Sequence, residues 1–182
     1  MYAYTISHMA LKDGLLMEFD HEMATTRKLL ERIPDDKLSW KPHDKSMSLG
    51  QLALHVATVP GAVAEMSRKS PFPIPQFIHP GAASVSELIP ALDQSVAKAR
   101  QILSTMNDEA LTEIWRATDG TREVMALPVG AVLRTIMLNH WYHHRGQLSV
   151  YIRQVGALVP SIYGPSADEN PFSVAAREAA AV

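Results

Sequence analysis

Two histidines, His140 and His144, stand four residues apart within the stretch 133–148 of a 182-residue chain. Its apolar residues recur at helical spacing: Leu133, Ile136 and Met137, then Leu148, Tyr151 and Val155. The buried stripe implied by that spacing passes through His140, His144 and Gln147, all polar. Four residues along a helix amount to a rotation of about 40°. The two imidazoles therefore leave one face with Cβ atoms about 5–6 Å apart. That spacing suits two ring nitrogens meeting one metal ion at about 2.0–2.1 Å each. The competing reading is a pair of core histidines bonded to carbonyls or water. Polar rings on a core stripe must find partners there in either case.

The elements that would position such a pair are helical. Residues 5–33 carry Met9, Leu16, Phe19, Met23, Leu30 and Ile33 on one side, a long amphipathic helix that Pro34 ends. Its mid-helix cluster Glu18, Asp20, His21 and Glu22 reads as a solvated face. The functional alternative makes Asp20, nearest the apolar stripe, the partner that orients a ligand histidine. After a loop carrying Trp40, Pro42 and His43, Ser48 and Gln51 form a capping-box pattern. The second helix turns Leu49, Leu52, Val56, Val59, Val63 and Met66 inward, with His55 on the same face. His55 alone reads as a core histidine or as a ligand. Pro60 removes the bond to the Val56 carbonyl and predicts either a plain kink or a widening of the bundle beside His55.

Four prolines between residues 70 and 80 predict an extended crossover. A third helix, capped by Ser84 or Ser86, buries Leu88, Leu92, Val96, Ala99 and Leu103. A short helical piece over 108–115 and a turn at Asp119-Gly120, with a small hairpin between Ile114 and Met125, lead to Pro128 at the start of the fourth helix. That helix stops at Gly156. The remainder is loop, with an Ala-rich end at 175–182 that is a short helix or frayed. The reading is all-α: a four-helix bundle forming a single domain over 1–182. Bundle metal sites draw ligands from facing helices, and His55 with His140 and His144 fits that scheme.

Composition removes several function classes. Formal net charge is −2, and no run of Lys or Arg exceeds two, so nucleic acid and anionic lipid are not expected partners. No apolar stretch is long enough for a bilayer, so no membrane is expected either. The N-terminus lacks the pattern of a secretory signal, and the expected location is cytoplasmic. Without cysteine there are no disulfides, thiolate ligands or Cys nucleophile. Any metal must be held by nitrogen and oxygen.

Trp40-Lys41-Pro42 is followed by Ser48-Leu49-Gly50-Gln51-Leu52 leading to His55. Later come His140-Trp141-Tyr142-His143-His144-Arg145-Gly146-Gln147-Leu148, then Arg153, Gly156, Pro160 and the stretch 163–168. On these motifs the chain bears a resemblance to the DinB family of DinB/YfiT-like metalloenzymes. The resemblance implies an up-and-down four-helix bundle, often dimeric, with a divalent metal, usually zinc or nickel, on three histidines. These map to His55, His140 and His144. His143 lies about 100° from His144 around the helix and is assigned elsewhere. Some relatives use low-molecular-weight thiols in S-transfer or isomerisation.

Three neutral imidazoles leave a coordination position open, as in catalytic zinc sites. The chemistry expected is activation of a small thiol or of water against a small-molecule substrate. The alternative is a non-catalytic, stress-related metal-binding dimer. A cavity of some hundreds of Å³ beside the histidines favours the enzyme. Arg145 either anchors an anionic substrate group or forms an ion pair within the bundle. Gln147 either bonds a ligand or holds the helix backbone. Trp141 and Tyr142 are packing residues or, lying outward beside the core stripe, part of a homodimer interface.

Overall fold

The computed structural model describes residues 10–173. Its long helices are α1 (Leu11–Leu30), α2 (Leu49–Met66), α3 (Leu88–Ser104) and the last one, α6 (His140–Gln154). Between α3 and α6 lie α4 (Asp108–Thr112), a hairpin of β2 (Ile114–Asp119) and β3 (Arg122–Pro128), and α5 (Val129–Val132). A π-helical segment, Leu133–Asn139, joins α5 to α6 without a break. The extended segment after α2 contributes β1 (Phe72–Pro73), which pairs in parallel with β2.

The start of α2 follows the sequence closely. The Ser48 hydroxyl accepts from the Gln51 amide at 3.1 Å, and the Gln51 side chain accepts from the Ser48 amide at 2.9 Å. The Gln51 amide nitrogen then reaches across to the His79 carbonyl at 2.9 Å. One residue thus closes a helix end and pins the extended segment beside it. Pro60 is buried, and α2 runs on past it to Met66. The Val56 carbonyl, which has no amide donor at position 60, accepts from the Trp141 indole at 2.8 Å instead. Gly61 lets α3 approach closely: a Cβ there would lie 2.8 Å from the Ser95 carbonyl oxygen.

The buried residues of α1, α2, α3 and α6 meet in one apolar core, where Phe19 and Trp141 pack with ring centroids 5.6 Å apart. The chain is mostly helical, and the all-α reading holds except for one small sheet. A three-stranded sheet, ordered β1-β2-β3, buries Trp115, whose indole donates to the Met66 carbonyl at 3.2 Å. The helical piece expected over 108–115 ends at Thr112, and the chain enters β2 two residues later. Alternation explains this: Trp115 and Ala117 point inward while Ile114 and Arg116 point out, a period of two. The hairpin turn falls one residue later than expected, at Gly120-Thr121: Asp119 still pairs with Arg122, and Gly120 takes φ 60°. Gly156, at φ 82°, follows the end of α6. The expected first turn of α1 over residues 5–9 and the tail at 175–182 lie outside the described residues.

Among the described residues no helix is long and apolar enough to cross a membrane.

Candidate metal centre

The structure brings His55 of α2 together with His140 and His144 of α6. One ring nitrogen from each lies within 4.8 Å of the others, the only such trio of His or acidic ligands among the described residues. The Nε2 atoms of His55 and His140 are 3.2 Å apart. Tetrahedral zinc with bonds of about 2.0–2.1 Å needs donor separations of about 3.3 Å, so this edge already fits. The rings of His55 and His144 meet edge to face with centroids 4.6 Å apart, and those of His140 and His144 lie 4.5 Å apart. His144 directs Nδ1 at the Gln147 side-chain oxygen, 2.8 Å away. An amide oxygen only accepts, so Nδ1 carries the proton and Nε2 keeps its lone pair for an ion.

Burial and mutual repulsion hold the three rings in the neutral form that a metal requires. Desolvation, then the proximity of His144, His140 and His79, pushes His55 down to about 4. His140 and His144 are lowered as well, first by burial. The donor set is therefore three neutral nitrogens, which fits a borderline divalent ion such as zinc or nickel.

The trio opens into a cavity of about 680 Å³ between α2, the π-helical segment and the extended segment after α2. A volume of this size is typical of small-molecule sites.

Several expectations about neighbouring residues need correction. Asp20 does not orient a histidine; it pairs with Arg100 of α3 at 2.6 Å. The core stripe of α6 runs through Trp141, Arg145, Leu148 and Ile152, not through 140, 144 and 147. The metal histidines flank it, half-buried, on the cavity side. Trp141 is 0% exposed, and the Tyr142 hydroxyl donates to Glu18 at 3.0 Å. Trp141 is therefore a packing residue, while Tyr142 is half-buried. Of the two readings of Arg145, the structure shows the ion pair. The guanidinium is 1% exposed, paired with the Glu22 carboxylate, and it also donates to the Glu22 carbonyl at 3.1 Å and to the Tyr163 hydroxyl. Tyr163 in turn donates to Glu22 at 2.9 Å. His143 is exposed and outside the trio.

Two features escaped the sequence reading. His79, on the extended segment, lies edge-on to His55 with centroids 5.1 Å apart and lines the cavity. A residue in a proline-rich, non-periodic stretch gives no facing signal. Glu22 was legible in principle: it falls three residues after Phe19 and four before Thr26, both buried, and so on the core face.

The chain is similar to known proteins over most of its length. The sequence model of the DinB family matches residues 7–171. The uncharacterised protein YrdA of Bacillus subtilis is 29% identical over 86% of this chain and 90% of its own. The crystal structure of a DinB-like protein from Bacillus cereus is similar at a TM-score of 0.67 and 27% identity, over 83% of this chain and 97% of that one. The crystal structure of the DinB-like protein YjoA from Bacillus subtilis is similar at 0.60 and 25% identity, over 79% and 92%.

Proposed function

The chain belongs to the DinB family, and on that premise we propose that it is a metal-dependent enzyme acting on a small molecule, with the ion held by His55, His140 and His144. The observation that carries this reading is the convergence of three neutral imidazoles on the wall of a cavity of about 680 Å³. A divalent ion there, zinc or nickel by donor type, would supply Lewis acidity that eases deprotonation of a small thiol or of water.

The chain's own residues do the rest. Gln147 fixes the tautomer of His144. Trp141, bonded to the Val56 carbonyl, ties α6 to α2 and sets the spacing between His140 and His55. The walls of the cavity limit bulk water. In the proposed reaction the thiol or water gives up its proton to solvent, its sulfur or oxygen bonds to the electrophilic carbon, and the leaving group departs with the bonding electrons and takes up a proton from solvent. The chain has no cysteine, so a thiol must arrive as a substrate.

The reading includes a single-domain four-helix bundle over 1–182, assembled as a homodimer in the cytoplasm, with a small molecule rather than nucleic acid as partner. Elemental analysis of the purified protein, beside turnover assays with thiols and water against a panel of small electrophiles, tests it. Stoichiometric metal with turnover is expected. Metal without turnover across the panel would leave a non-catalytic metal protein. Light scattering should give twice the 20.1 kDa chain mass; a mass equal to one chain would remove the dimer.

A further inference from the structure

Among the described residues, the cavity beside the histidines carries no charged side chain. Its walls are apolar, formed by Leu54, Val59, Val63 and Met66 of α2, Phe72 of β1 and Ile136 of the π-helical segment. Its polar residues are the three clustered histidines, His79 and Thr58. The Thr58 hydroxyl is already committed to the Leu54 carbonyl at 2.8 Å. Polar recognition is therefore concentrated at the imidazoles, and the rest of the lining offers only dispersion and burial. Phe77 and Ile78, 68% and 82% exposed, extend the apolar surface to the mouth. Exposed aromatic and aliphatic side chains at a cavity rim are costly without something apolar to cover.

From this lining we infer that the substrate is an uncharged molecule with an extended apolar body, placed with one polar group at the histidine cluster and its alkyl or aryl part along Leu54, Val63, Met66 and Phe72. A carboxylate or ammonium placed away from the histidine cluster would lose its hydration and find no counter-charge among the apolar lining residues. A substrate with a charged group on its distal part is thereby disfavoured. This assignment rests on the proposed metal centre only for the polar end of the molecule; the apolar end depends on the cavity alone.

The test separates the two. Full-length, zinc-loaded protein is titrated calorimetrically with n-alkanethiols from ethanethiol to hexanethiol, and with thiols of matched length ending in a carboxylate. Affinity should rise about fourfold per added methylene. The carboxylate-ended thiols should bind at least about tenfold more weakly than their methyl-ended counterparts. Ala62→Trp, at an exposed α2 position lining the cavity, should narrow it, keep the zinc and flatten the dependence on chain length. A flat chain-length series in the unmodified protein overturns the assignment even if zinc is bound. So does equal binding of the carboxylate series, or an unchanged slope in Ala62→Trp. A slope that persists in chelator-treated protein, with zinc failing to bind the histidines, supports the apolar cavity and removes the metal reading instead.

Discussion

His144 and Arg145 are neighbours in sequence, yet they belong to two polar clusters of opposite character. Arg145, Glu22, Tyr163 and Thr26 form a closed set: a cation, an anion and hydroxyls that satisfy one another away from solvent. His55, His140 and His144 form an open set: three groups of the same kind, each driven toward neutrality by burial, with nitrogens converging beside a cavity. The closed set holds α1, α6 and the C-terminal loop in one arrangement. Among the described residues the open set faces no opposite charge: its rings meet one another, His79 and Gln147, and an ion can take the place of those contacts. Polar character inside a helical core is thus not itself a sign of function; the absence of internal complementarity is.

Breaking the open set should have the largest effect. The His140→Ala, His144→Ala double variant should purify without stoichiometric metal, because one remaining imidazole cannot hold a divalent ion against solvent and buffer. Undiminished metal by elemental analysis would move the centre elsewhere and dissolve the contrast.

Acid should act on the same three rings. In metal-free protein the folded-state value for His55 is about 4, against an ordinary value of 6.5. Between those limits the unfolded chain binds a proton that the folded chain does not, so stability rises with pH across this window. It is fully present above about 6.5 and is lost as pH falls toward about 4. His140 and His144 shift in the same direction and add to the effect. Urea midpoints measured with chelator at neutral pH and near pH 5 should therefore fall on acidification, and less so in His55→Asn. Equal midpoints would show that the rings titrate normally.

The closed set should respond to the loss of one member as a broken buried ion pair does. Glu22→Gln leaves the Arg145 guanidinium without its counter-charge at a site 1% exposed. The expected cost is about 3–5 kcal/mol by chemical denaturation. Metal content should survive wherever the variant folds, which would separate scaffold from site. Trp141→Phe tests the link between the two regions. It deletes the donor to the Val56 carbonyl, which Pro60 leaves without a helical partner, and should cost about 1–3 kcal/mol.

The sequence made the three histidines legible because two sat at helical spacing and the third lay on a strongly periodic, well-capped helix. The four long helices were legible for the same reason. The hairpin of β2 and β3 was legible through its glycine turn, but its full extent and its pairing with β1 were not, because β1 covers only Phe72–Pro73 and β3 has no buried residue. The orientation of α6 was misjudged through Tyr151 and Val155, which are only half-buried, whereas Trp141 and Ile152 define the core face. The π-helical segment Leu133–Asn139 also shifts the register, so positions before and after it do not share one α-helical stripe. The ion pair of Arg145 was one of two open readings, but its partner went unnamed because Glu22 sits within an acidic run that reads as solvated.

The smallest expected effect sharpens the comparison most, because it sits two residues from the largest scaffold effect. Asp20 and Glu22 are both acidic, both on α1 and both paired with an arginine. Asp20 meets Arg100 where both side chains remain well exposed, so water already solvates each charge. Its neutralisation removes a screened attraction and leaves no desolvated charge behind. Asp20→Asn should therefore cost less than about 1 kcal/mol and leave metal content unchanged. A cost matching that of Glu22→Gln would mean that burial does not separate these two carboxylates, and a loss of metal would restore Asp20 as a positioning partner of the histidines. With both variants measured in one denaturant series, the difference between them isolates what enclosure adds to the same pairing of charges.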